Sequence, residues 1–258
     1  MPQPRVLILR APGTNCDGET AFAFEQAGAQ PERIHINRLL EDAGLVDAFE
    51  ILCLPGGFSY GDDVAAGRIL GNQIHHHLSD RIAQFKDAGK LILGICNGFQ
   101  VLIKSGVLVR DDADGPPATL TYNDSGRFED RWVRLGAGGK SVFLAGIESM
   151  YLPVAHAEGK FVARDAAMLD QLDAAGQLVL CYRPLDGGEA DPVPYPDNPN
   201  GSMAAVAGLC DETGRVLGLM PHPERHIHPT HHPRWTRGEA RPEGDGLQLF
   251  RNAVNYFA

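Results

Sequence analysis

The chain has 258 residues, with 23 lysines and arginines against 33 acids and a formal net charge of −10. Hydrophobic residues make up 43% and charged ones 22%, so a sizeable core is available. An acidic balance argues against nucleic acid or an anionic membrane as partner, because phosphate binding needs clustered positive charge.

Arg5 to Arg10 reads as a first strand, followed by the turn Ala11-Pro12-Gly13-Thr14-Asn15 and a helix that Asp17 could cap, ending at Gly28. This opening strand leaves no signal peptide, and the apolar runs are too short to cross a bilayer. Arg33 to Asn37 suits a second strand and Glu50 to Leu54 a third, running into Pro55-Gly56-Gly57-Phe58-Ser59-Tyr60-Gly61-Asp62. Helical segments follow over Val64 to His77 and Ser79 to Ala88, then an apolar strand over Leu91 to Ile95. Strands alternating with helices imply a parallel sheet covered on both faces, with ligands outside the carboxyl ends of its strands. After Leu108 the pattern changes. Leu120 to Tyr122 and Arg131 to Leu135 look antiparallel, and Leu152 to His156 is extended. A helix over Ala166 to Ala175 and a strand over Leu178 to Tyr182 precede a loop, Pro184 to Ser202. Met203 to Leu209 and Arg215 to Met220 pair as a hairpin, and Gly246 to Phe257 is a final amphipathic helix. The economical reading is one domain over 1–258. The five cysteines are scattered without a C-x-x-C, as in reduced thiols of a cytoplasmic protein.

Cys96 sits where the Leu91–Ile95 strand turns into a helix, framed by Gly94 and Gly98. G-x-C-x-G is the nucleophile elbow with a thiol, and the helix N-terminus favours thiolate. The bland alternative is a strand–helix turn with a buried cysteine. Downstream, Pro221 and Pro223 bracket His222 and bias it towards extended chain, where His222 and Glu224 point the same way. Cys96, His222 and Glu224 are thus nucleophile, base and orienter of the base. The N–H of Asn97 and that of Gly57 are the expected oxyanion donors.

Leu54 to Asp62 (L-P-G-G-F-S-Y-G-D), Gly94 to Gln100 (G-I-C-N-G-F-Q) and Gly218 to Arg225 (G-L-M-P-H-P-E-R) resemble the class I, or triad, glutamine amidotransferases. Within them they resemble the glutaminase subunits of phosphoribosylformylglycinamidine synthase, as do Pro12 to Asp17 and Asn123 to Phe128. The resemblance implies a flavodoxin-like α/β fold, mostly parallel, with extra antiparallel strands in the second half. It implies hydrolysis of glutamine through a γ-glutamyl thioester on Cys96. Ammonia would pass to a large synthetase subunit, alongside a small third subunit, making formylglycinamidine ribonucleotide in purine synthesis. ATP and Mg2+ would belong to that partner, with no cofactor or metal in this chain. Gly56, Gln100, Asn123, Ser125 and Phe128 are the residues implied to hold glutamine.

Some stretches depart from that pattern. Ala157 and Lys160 stand where the family has glycine and arginine, which leaves His156 and Glu158 an interface or channel-side role. Residues 226–243 look like an insertion, whose His226, His228, His231 and His232 match no common zinc-ligand spacing. Cys16 is a rival thiol without the elbow's second glycine and reads as structural. Three other functions use similar parts: a stand-alone γ-glutamyl hydrolase, a DJ-1-like protein, which typically has His after the cysteine where Asn97 stands, and a catalytically silent binding subunit.

Overall fold

Val6–Leu9, Ile51–Leu54, Leu91–Ile95 and Val216–Leu219 carry almost no polar side chain, and burying both faces of such runs needs a covered sheet. In the computed structural model, which describes residues 3–188, 190–239 and 241–258, these four runs lie at its heart. In chain order the elements are β1 (Arg5–Arg10), α1 (Asp17–Gln26), β2 (Gln30–His35), α2 (Ile36–Glu41), β3 (Ile51–Leu54), α3 (Arg68–His77), α4 (Ser79–Asp87), β4 (Leu91–Ile95) and α5 (Asn97–Lys104). They continue with β5 (Ala118–Thr121), β6 (Glu129–Ala137), β7 (Ser149–His156), β8 (Lys160–Ala163), α6 (Ala166–Ala174), β9 (Leu178–Arg183), β10 (Val206–Cys210), β11 (Val216–Leu219) and α7 (Leu247–Asn255).

Nine strands form one sheet in the order β2-β1-β3-β4-β11-β10-β9-β6-β7, and β5 pairs with β8 in a separate ribbon. The sheet is parallel from β2 to β11 and antiparallel from β11 to β7. The antiparallel strands of the second half therefore extend the parallel sheet through the β10–β11 hairpin. Helices α1 and α7 cover one face, where Phe24 meets Phe250 edge-on at 4.9 Å. Helices α3 and α5 pack on the other side of β4.

Three local expectations change. Asp17 is the first helical residue and caps nothing; its carboxylate takes Arg10 at 2.7 Å and Arg33 at 3.3 Å, while Cys16 stands at the cap. Helix α3 begins at Arg68, four residues after Val64, because Gly67 just before it has a φ of 71° and cannot continue a right-handed helix. Strand β8 and helix α2 are additions. Residues 226–243 leave and re-enter the fold at one place: Gly244 N–H donates to Ile227 O at 3.2 Å and Gly246 N–H to His226 O at 2.8 Å. Within that loop His226 is buried, with Nδ1 at 2.7 Å from Tyr151 O and its ring edge-on to Trp132. Among the described residues no helix is long and apolar enough to cross a membrane.

Candidate active site

At the end of β4 the chain turns through Cys96, held at φ 51° and ψ −105°, a conformation that costs a non-glycine residue energy. The turn is locked from both sides. Cys96 N–H donates to Leu219 O on β11 at 2.8 Å, and Cys96 O accepts from Phe99 and Gln100 at the start of α5. The flanking glycines are required by space: a methyl on Gly98 would lie 1.8 Å from Leu54 O, and one on Gly94 would lie 2.5 Å from Leu102.

His222 follows the end of β11. It is not in extended chain; a 3-10 turn over Pro223–Arg225, opened by proline at its first position, folds Glu224 back onto the ring. Glu224 Oε1 lies 2.6 Å from His222 Nδ1, and both side chains are buried. Burial opposes charge on the imidazole, but the Glu224 carboxylate and Cys96 outweigh it and raise the His222 pKa well above its ordinary value. The backbone of His222 is fixed by its N–H to Pro153 O at 2.9 Å, so β7 curls round to close the site. Cys96 Sγ donates to Ala155 O on the same strand at 3.6 Å. His222 Nε2 has no hydrogen-bond partner among the described residues.

The loop after β3 supplies the third wall. Gly57 has φ +142°, accessible to glycine, and is pressed against the first β–α turn: a methyl there would lie 2.8 Å from Asn15 N and from Gly13 O. Gly56 O accepts Cys16 N–H at 3.2 Å and Gly13 O accepts Phe58 N–H at 3.0 Å, so Pro12 to Asp17 buttresses this loop. Neither Gly57 nor Asn97 gives its N–H to another described residue. Both N–H groups expected from the sequence as oxyanion donors are therefore uncommitted among the described residues. Gly56 lies at the centre; a methyl on it would be 2.8 Å from the His222 ring and 3.5 Å from Cys96 Cβ.

The residues expected to hold glutamine divide. Phe128 is half exposed and packs on Phe58, ring centroids 6.4 Å apart, which sets the 123–128 loop beside the loop that carries Gly56 and Gly57. Ser125, on that loop, donates to Glu129 at 2.8 Å. Asn123 is a different matter. Its Nδ2 donates to Arg127 O and His156 O, and its Oδ1 takes Gly159 N–H and His156 Nδ1, so its amide is spent inside the protein. Gln100 is likewise buried, bound to Asn97 and to Glu158 O. Its side chain acts as a strut behind the elbow. His156 and Glu158 are buried as well, the first against Asn123, the second against Ala66 N–H at 3.2 Å and Lys104 at 3.9 Å. Both are buried within the chain, which speaks against the interface half of the interface or channel-side role expected for them.

Cys16, read from the sequence as structural, is buried next to the candidate site. Its sulfur would lie 3.1 Å from a methyl on Gly56, on the side of the His222 ring. Arg225 Nη2 lies 3.2 Å from that sulfur while Arg225 Nε binds Glu19 at 2.8 Å. Cys16, Glu19, His222 and Glu224 present possible ligand atoms within 4.8 Å of one another, with the Arg225 guanidinium against two of them as the fixed positive charge. The signal available in the sequence was Arg225, one residue beyond the H-P-E motif. An open cleft of about 680 Å3 lined by Arg68, Lys104 and Arg110 contains none of Cys96, His222 or Glu224.

Residues 3–257 match the CobB/CobQ-like glutamine amidotransferase domain. The chain is 47% identical to phosphoribosylformylglycinamidine synthase subunit PurQ of Dehalococcoides mccartyi, over 99% of this chain and 98% of that protein. It belongs to the PurQ family of glutamine amidotransferases. The PurQ subunit of Methanococcus maripaludis is 40% identical over 98% of this chain and 97% of its own. A chain in the structure of PurLQS from Thermotoga maritima superposes with a TM-score of 0.75 at 31% identity, each chain covered in full. The nine-stranded sheet is thus the class I glutamine amidotransferase fold in its PurQ form.

Proposed function

We propose that the chain is the glutaminase subunit of phosphoribosylformylglycinamidine synthase. It hydrolyses glutamine to glutamate and ammonia and passes the ammonia to an ATP-dependent synthetase subunit, which converts formylglycinamide ribonucleotide to the amidine. The observation that carries this is the buried His222–Glu224 pair at 2.6 Å beside the Cys96 elbow, in a chain alike to PurQ from end to end. His222 takes the Cys96 proton, and the thiolate attacks the carboxamide carbon while Gly57 and Asn97 N–H groups hold the oxyanion. The imidazolium then protonates the departing amine, leaving a thioester. Water, deprotonated by His222, attacks that thioester, the C–S bond breaks and the sulfur recovers its proton.

Two features support a partnered enzyme. Relatives are named as subunits of a synthase, and the similar solved chain comes from PurLQS. The partners in this reading are a large synthetase chain, which holds ATP and Mg2+, and a small third subunit, all in the cytoplasm. The whole of 1–258 acts as one glutaminase unit, with Phe128 and Ser125 at its mouth beside Gly56. Cys96→Ala in the assembled complex tests the reading: glutamine-dependent synthesis should disappear while ammonia-dependent synthesis survives. Near-normal glutamine hydrolysis by that variant would overturn it.

A further inference from the structure

We propose that Cys16 is a positioning residue for His222, seating the imidazole while the thioester on Cys96 is broken down; this rests on the glutaminase reading above. His222 is held at Nδ1 by Glu224, but its Nε2, fully buried, has no hydrogen-bond partner among the described residues. The side chains of two cysteines lie close to the ring. Cys96 belongs to the reaction. Cys16 does not, yet it is 1% exposed and lies with the His222 ring and Cys96 Cβ around the space left by the absent side chain of Gly56.

The second sulfur is fixed in place. Its backbone N–H is tied to Gly56 O at 3.2 Å, its thiol reaches Asn15 Oδ1 at 3.3 Å, and Arg225 Nη2 donates to it at 3.2 Å. Arg225 is in turn held by Glu19 at 2.8 Å. Burial raises the Cys16 pKa, which keeps it a neutral thiol beside the base and not a second nucleophile.

The two halves of the reaction place different demands on His222. During acylation Nε2 has the Cys96 sulfur to address, first as a thiol and then as a thiolate. Once the C–S bond has formed and ammonia has left with its proton, that sulfur carries neither proton nor charge. The ring is then anchored by Glu224 at Nδ1, and Cys16 is the remaining unreacted sulfur close to it. Without that sulfur filling the space beside the ring, the imidazole can rock about its Glu224 hydrogen bond just when it must take a proton from water. Misplacement of a general base is costly, so breakdown of the thioester should suffer more than its formation.

Steady-state and rapid-quench kinetics of the assembled complex separate these cases. Cys16→Ala should lower kcat about tenfold and KM by the same factor, leaving kcat/KM unchanged. A γ-glutamyl adduct on Cys96 should accumulate in mass spectra of quenched enzyme, and the limb of the kcat–pH profile that reports His222 should move to lower pH. Cys16→Ser, which keeps a side chain of similar shape held by Asn15 and Arg225, should recover most of kcat. Should Cys16→Ala fail to fold, Arg225→Lys, which frees the sulfur while keeping the charge, should show the same parallel fall. Unchanged kinetics, a fall in kcat/KM without adduct, or a Ser variant no better than Ala overturns the inference. Absence of hydrolysis by the wild-type complex overturns the glutaminase reading itself, and this inference with it.

Discussion

Asn97, the residue after the nucleophile, accepts a hydrogen bond from Ser59 N–H at 3.1 Å and so ties the elbow to the loop that carries Gly57. Its Nδ2 donates to Asp62 at 3.1 Å and to Gln100 at 2.9 Å, which uses the whole amide in a buried setting. Asn97→Ala leaves the Ser59 N–H buried without its partner, a loss of about 1–3 kcal/mol. It also releases the oxyanion loop. Denaturant unfolding should show that destabilisation, and kcat should fall more than tenfold if loop position sets donor aim, since one misdirected donor is worth about 100-fold or more. A stable variant with normal kcat would dissociate Asn97 from the oxyanion loop's aim.

Gly98 and Gly138 make a clean pair. A methyl on Gly98 would lie 1.8 Å from Leu54 O, whereas one on Gly138 would meet nothing within 4 Å, and Gly138 has no positive φ. Gly98→Ala must push β3 and α5 apart, a change of about 1–3 kcal/mol or more, and should abolish hydrolysis. Gly138→Ala should melt within a degree or two of wild type and remain active. Comparable melting temperatures for the two variants would contradict the packing described at the elbow.

His156 makes the fold acid-sensitive. Burial, with His222 nearby, pushes its pKa down to about 3, so the native protein keeps it neutral while the unfolded chain protonates near 6.5. Between those values the unfolded state binds more protons, and stability falls as pH falls. At pH 5 the loss is about 2 kcal/mol relative to pH 7.5. His222, whose pKa is raised, acts in the opposite direction, adding stability as pH falls. The informative quantity is therefore the difference between proteins. His156→Gln should be about 2 kcal/mol less sensitive to that pH change in urea titrations than wild type, and parallel pH dependences would remove this assignment.

Cys96 donates its thiol proton to Ala155 O, and His222 Nε2 has no hydrogen-bond partner among the described residues. Cys96 lies near enough to raise the His222 pKa, yet no hydrogen bond joins the two. Docking of a synthetase should bring them together, so kcat for glutamine hydrolysis should rise about 100-fold or more on assembly with nucleotide and acceptor. His222→Ala should then cost more activity than Glu224→Ala or Glu224→Gln, since loss of the orienter leaves the imidazole in place. Equal kcat for the free and assembled chain would favour a stand-alone hydrolase.

The elbow could be read in sequence because Gly94, Cys96 and Gly98 obey constraints within five residues of one another, and the sheet because its inner strands are apolar throughout. His222 and Glu224 were visible for a partly wrong reason: the prolines begin a 3-10 turn and do not extend the chain. Cys16 was not legible as part of the site, since its contact with Arg225 spans 209 positions and no local pattern encodes it. Asn123 shows the converse. A polar residue in a family-like loop looks available for ligand, and only the neighbouring carbonyls of Arg127 and His156 reveal that its amide is spent.

Strand β11 lies between β4 and β10, although it is the last strand to be made. On the ribosome, the first half of the chain can therefore assemble β2-β1-β3-β4 and the elbow, but β4 then ends the sheet with an open edge beside a reactive thiol. Nothing in those residues can deprotonate the thiol in the way His222 does, so a growing chain is chemically quiet until its final fifth emerges. The cost is a long exposure of an apolar strand edge, an aggregation hazard during synthesis. Nascent chains ending before Val216 should accordingly require chaperone protection in translation assays that full-length chains do not, and their solubility without chaperones would show that β4 is covered in some other way.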